Sequence, residues 1–110
     1  MQNSYLGEFQ EIVMLTILVL EDNAYGVTIK NELKQRLNRD CSRGALHTAL
    51  MRLQEKGLIK SEMGGANAMR GGRRKRYYTV THKGKVSLKE AKDARDHLWG
   101  AIPNFSLKIV

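Results

Sequence analysis

Residues 58–81 limit this chain's fold more than any other stretch. Two runs alternate apolar and polar side chains, LIKSEM at 58–63 and RYYTVT at 76–81, around the glycine-rich connection GGANAMRGGRRK. Alternation with period two is the pattern of a half-buried strand. Two such runs joined through glycines predict a β-hairpin with a long loop. The rest of the chain carries helical periodicity and a single proline. The expected class is therefore mainly α with a small β-hairpin.

Three helices precede the hairpin. The first, about 7–21, bears Phe9, Ile12, Val13, Leu15, Ile17, Leu18, Val19 and Leu20. A helix apolar nearly all round must be covered on several sides. A chain of 110 residues has few elements to do that, which predicts a subunit interface at Phe9 and Val13. Asn23 and Gly26 break the pattern. A second helix, about 26–37, follows with Val27, Ile29, Leu33 and Leu37 as its apolar stripe. After the polar break NRDCS, Ser42 is placed to cap a third helix, about 43–56. There Leu46, Ala49, Leu50 and Leu53 fall on one face, and Gly57 is placed to end it in the left-handed conformation.

After the hairpin a long helix runs from about 82 or 85 to 100. Leu88, Ala91, Arg95, Leu98 and Ile102 recur in steps of three and four, a coiled-coil-like seam with Trp99 beside it. The seam spans barely two heptads and would be marginal alone. It reads as a dimer interface. The chain thus divides into residues 1–81, the three helices and the hairpin, and residues 82–110, a dimerisation helix and tail.

The argument for DNA rests on order and charge. A short polar turn joins the second and third helices, as in a helix-turn-helix, and the hairpin that follows makes it a winged helix. The net charge is +8, and five basic residues, Arg70, Arg73, Arg74, Lys75 and Arg76, fall within one short patch. Focused positive charge is the footprint of a phosphate-binding surface. On the third helix, Ser42, Arg43, Gly44, His47, Thr48 and Arg52 form the expected reading face. Gly44 lets backbone approach closely, His47 and Thr48 offer donors and acceptors to base edges, and the arginines reach phosphate or guanine. The competing view is that these are ordinary exposed helix residues. On the wing, Arg70, Gly71, Gly72, Arg73, Arg74 and Lys75 would follow the phosphate backbone or enter a narrow minor groove. Alternation must turn either Lys75 or Arg76 away from DNA. One of Tyr77 and Tyr78 should be core and the other near the surface.

Other classes find no support. There is no Ser-His-Asp pattern, Walker loop or dinucleotide fingerprint, so the chain reads as no enzyme and no cofactor is expected. His47, His82 and His97 have no metal-ligand spacing with Cys41 or with one another. No metal is expected, and Cys41 reads as a small, partly buried residue before a helix. The apolar run IVMLTILVL is too short to cross a bilayer. With no signal peptide evident, a cytoplasmic protein is expected. Asn104-Phe105-Ser106 matches a glycosylation triplet that chance also produces.

The sequence resembles the PadR family of bacterial transcriptional regulators. The matching blocks are LGEFQEIVMLTIL, AYGVTIKNEL, SRGALHTALMRLQEKGLIKSE and GGRRKRYYTVTHKGKVSL, the last being the most specific. The resemblance implies a cytoplasmic homodimer, a C-terminal dimerisation helix, and repression of nearby genes relieved by a small-molecule effector. Many members of that family carry Tyr where this chain has His47. Some short members bind flat aromatic drugs between paired tryptophans, and Trp99 lies about one turn later than that pattern, as plain interface packing would allow. A winged helix acting on RNA or the ribosome is the rival reading. A two-fold dimer instead suits double-stranded DNA with a pseudo-palindromic operator.

Overall fold

A computed structural model describes residues 6–64 and 74–103. The element order is α1 (Glu8–Leu20), α2 (Gly26–Leu37), α3 (Arg43–Glu55), β1 (Ile59–Gly64), β2 (Lys75–Val80) and α4 (His82–Ala101), with a short 3-10 turn, Glu21–Asn23, after α1. This is the mainly helical, winged architecture expected.

The helix ends follow from local chemistry. Glu8 and Glu11 lie in the first turn of α1, where carboxylates complement the helix dipole. The α2 start is held by Thr28, whose hydroxyl accepts from the Tyr25 N–H at 3.0 Å. The same helix stops where Asn38 turns left-handed (φ 53°), a conformation Asn tolerates better than most residues. Ser42 caps α3 as expected, accepting from the Ala45 N–H at 3.0 Å. Gly57 ends it at φ +76°, and the Leu58 N–H returns to the Leu53 carbonyl at 3.0 Å. Thr81 caps α4 through the Gly84 N–H at 3.0 Å and also donates to the Gly57 carbonyl at 2.7 Å. One hydroxyl thereby joins the end of α3 to the start of α4.

The hairpin is antiparallel, with Ile59 opposite Val80, Ser61 opposite Tyr78 and Met63 opposite Arg76. Directly opposed residues share a face. The inner face begins with buried Ile59, Val80 and Tyr78, which complete a core of Val13, Met14, Ile17, Ile29, Leu33 and the α3 stripe Leu46, Ala49, Leu50 and Leu53. The Tyr78 N–H also donates to the Ala24 carbonyl at 2.9 Å, tying β2 to the segment before α2. Gly84 sits where α4 meets the base of the hairpin. A Cβ there would overlap the Leu58 carbonyl oxygen and crowd Val80.

Three expectations are corrected. The α2 stripe is narrower than proposed: Ile29 and Leu33 are buried, whereas Val27 and Leu37 are exposed. Val27 points well off the Ile29–Leu33 line, and Leu37 lies in the last turn, past the core. Helix α1 buries one face, through Val13, Met14, Thr16 and Ile17, and leaves Leu15, Leu18 and Val19 exposed. Val13 is fully buried inside its own protomer, so it offers no surface to an interface. Leu88 is likewise spent on the protomer's own core, at 7% exposed.

Candidate nucleic-acid interface

The outer face of α3 is polar because its inner face has used every large apolar side chain but one. Arg43, Gly44, His47, Thr48, Met51 and Arg52 are all exposed, at the spacing of a single helical face. Met51 is the apolar exception, at 46% exposed. The capping hydroxyl of Ser42 is engaged with the Ala45 N–H, yet Ser42 itself remains exposed at the start of this face. Nothing lies within 4 Å of where a Gly44 Cβ would stand. The protomer's own packing therefore places no demand for glycine at this position.

A trough runs between α3 and β2. One half, about 320 Å³, is lined by Lys30, Arg43, Leu46, His47 and Tyr78 among others. The other, about 460 Å³, is lined by His47, Met51, Gln54, Glu55, Arg76 and Tyr78. His47 and Tyr78 line both halves, and the first also borders α2 through Gly26, Val27 and Lys30. Burial pushes the Tyr78 phenol above its ordinary pKa, the nearby Arg76 charge opposing. The phenol therefore remains a neutral hydroxyl through the physiological range.

The wing root sends its cations to opposite faces. Lys75 lies on the outer face, its ammonium 4.8 Å from the centre of the Tyr25 ring. Tyr25 in turn meets the Tyr77 ring edge-on, with centroids 5.3 Å apart. Arg76 lies on the inner face, beside α3. Arg74 is exposed at the start of the return strand. Arg70, Gly71, Gly72 and Arg73, expected at the wing tip, lie outside the described residues. Of the two tyrosines, Tyr78 is the buried one and Tyr77 is half-buried.

Sequence does not single out Tyr25 and does not settle the direction of Arg76. Tyr25 read only as part of a turn, and no periodicity marks a lone aromatic there. Arg76 could have been placed: it shares the parity of Tyr78, so once Tyr78 is core, Arg76 must face the same side.

The expected interface residues form a second, separate region. Leu98 and Trp99 on α4 are 68% and 62% exposed, and Ile102 is 37% exposed. Ala91 is half-buried. Between α1 and α4 runs an apolar groove of about 500 Å³, with Leu15, Leu18, Leu88 and Trp99 in its lining. Arg95 spans its edge and donates to Glu11 at 2.6 Å. Phe9 is half-buried under the Arg39 guanidinium, 5.3 Å from its ring centre. Arg39 also forks onto both Glu8 carboxylate oxygens, at 3.2 and 3.1 Å, and so lowers the Glu8 pKa. Among the described residues, no group of His, Cys, Asp and Glu could hold a metal ion, and no single helix is long and apolar enough to cross a membrane.

Known proteins match this arrangement. The sequence profile of the transcriptional regulator PadR-like family matches residues 14–90. An uncharacterised protein of Lysinibacillus sphaericus is 35% identical over 86 residues, spanning 76% of this chain and 74% of its own length. A PadR-like transcription factor from Bacteroides fragilis superposes with a TM-score of 0.68 at 26% identity, over 82% of each chain. A PadR family transcription regulator from Clostridium difficile gives 0.67 at 29% identity, over 84% of this chain and 92% of the other.

Proposed function

The chain belongs to the PadR-like family of transcriptional regulators, and on that premise we propose that it is a homodimeric repressor of double-stranded DNA sites. In this reading α3 enters the major groove, with Ser42, Arg43, Gly44, His47, Thr48 and Arg52 along the bases and the neighbouring phosphates. Arg70, Gly71, Gly72, Arg73 and Arg74 carry the wing along the backbone, with either Lys75 or Arg76 joining them at its root. Residues 1–81 form the DNA-binding unit. Residues 82–110 join two copies through Ala91, Arg95, Leu98, Trp99 and Ile102. Phe9, at the start of α1, borders the same interface. The protein acts in the cytoplasm, and a small-molecule effector releases it from its operator.

The observation that carries this reading is the pairing of a polar, solvent-facing α3 with a hairpin whose Arg76 and Tyr78 line a trough against that face. A helix that buries its apolar stripe and leaves a glycine, two arginines, a histidine and a threonine to solvent suits a polar, anionic partner. Two-fold pairing through α4 would present two such helices to successive half-sites, about one turn of duplex apart.

Selection of bound duplex fragments from the source genome tests the proposal. The expected product is a pseudo-palindromic site with two half-sites about 10 base pairs apart, upstream of a gene whose expression rises when the regulator is removed. Enrichment of asymmetric sites, or none at all, would remove the dimeric reading or the DNA reading respectively.

A further inference from the structure

Alternation leaves open whether Lys75 or Arg76 faces DNA, and the position of Arg76 suits that role. On the inner face of β2, Val80 and Tyr78 are buried and Arg76 is the next residue outward, where it becomes exposed. Its guanidinium donates to Ser61 Oγ at 3.1 Å, and the Ser61 hydroxyl donates to Gln54 Oε1 of α3 at 3.2 Å. A serine hydroxyl both accepts and donates, so this relay links the wing to the reading helix while fixing the arginine head. Among the described residues no carboxylate forms an ion pair with Arg76. A neutral holder leaves the full charge and most of the guanidinium donors unspent.

The trough geometry says what those donors would meet. When α3 lies in a major groove and the wing tip reaches an adjacent minor groove, the DNA strand between the two grooves crosses between α3 and β2. Its phosphates then pass over the trough, where Glu55 is in the lining without forming an ion pair with Arg76. A planar, forked cation at the wall of that trough matches a phosphate, which takes two parallel hydrogen bonds from arginine. Lys75 is turned to the opposite face of the hairpin, over Tyr25, and does not compete for this place.

We propose that Arg76 anchors a backbone phosphate in the trough between α3 and β2, and that Ser61 is the positioning residue that aims it. This rests on the DNA-binding reading above. It makes Arg76 a contact of the wing root, distinct from the contacts proposed for the tip.

The test is a salt series of anisotropy titrations with a fluorescein-labelled mixed-sequence 30-base-pair duplex. Wild type, Arg76→Gln, Arg76→Lys and Ser61→Ala are compared, and thermal melts are used to confirm that each is folded. Arg76→Gln is expected to weaken binding about tenfold per protomer at low salt, the scale of one charge-assisted hydrogen bond in each. It should also reduce the slope of log affinity against log salt by about 1.8, the loss of one phosphate contact in each protomer of the dimer. Arg76→Lys keeps the charge and should keep the slope while losing part of the affinity. Ser61→Ala should lose about threefold in affinity with the slope intact, a pattern that general destabilisation of the wing would not give. If wild type binds with a steep slope and Arg76→Gln matches it in both affinity and slope, the anchor is wrong and the DNA reading stands. If wild type itself binds no duplex, the DNA reading fails and the anchor fails with it.

Discussion

Helices α3 and α4 are both amphipathic, and they resolve their apolar faces differently. In 13 residues α3 buries Leu46, Ala49, Leu50 and Leu53 in its own protomer and leaves an almost wholly polar face outside. In 20 residues α4 buries only Gly84 and Leu88, both in its first half, and leaves Leu98 and Trp99 largely exposed. The outer face of α3 suits a polar ligand. The outer half of α4 carries exposed apolar surface of the kind that marks an interaction site. On the proposed function the two helices meet different partners, DNA at one and a second copy at the other.

The sharpest way to break this division is at the junction of the two regions. Gly84→Val should destabilise the fold by about 3 kcal/mol or more, because the new side chain meets the Leu58 backbone rather than a movable side chain. Chemical denaturation measures it, and an unchanged midpoint would show that α4 does not pack as described. A smaller effect, on assembly rather than folding, is expected at the far end of α4. Leu98→Asp combined with Trp99→Ala should shift the dimer–monomer equilibrium by about a hundredfold or more in sedimentation experiments, as loss of two exposed apolar contacts implies. Its melting behaviour at low protein concentration should stay close to that of wild type.

Gly44→Ala sharpens the other side of the comparison. With open space around it, alanine should leave stability unchanged or raise it by up to about 1 kcal/mol. DNA affinity should nonetheless fall several-fold. A variant that is both more stable and equally tight on DNA would show that α3 does not approach a partner closely at this residue. The smallest effect concerns Glu8, whose pKa Arg39 lowers by hydrogen bonding first and charge second. A depressed carboxylate pKa contributes stability that is present above the unfolded value of 4.5 and is lost as pH falls through the folded value. Glu8→Gln should therefore be slightly less stable than wild type at neutral pH, and the gap should close in acid. The pair is exposed, so the gap should be small and should shrink with added salt.

The legible parts of the fold were those with local punctuation. Gly26 and Asn38 mark both ends of α2, Ser42 and Gly57 bracket α3, and strand alternation placed the hairpin to within a residue. Burial beyond those limits depends on neighbours that periodicity does not name. Val27 points off the line of Ile29 and Leu33, and Leu37 lies beyond the end of the core, so both face solvent. Val13 sits on a helix apolar nearly all round, and only the placement of α2 and α3 decides that its side is the covered one. The exposed face of α3 was legible because four apolar residues define the opposite face. Arg76 was harder, since its direction depends on which tyrosine enters the core.

The most direct test of the account is a titration of duplex DNA over a range of salt, with structured RNA as competitor. The account predicts affinity falling on a straight log–log line with a slope equivalent to several phosphates per dimer, with RNA displacing duplex poorly. Binding indifferent to salt, or displaced equally well by RNA, would contradict it.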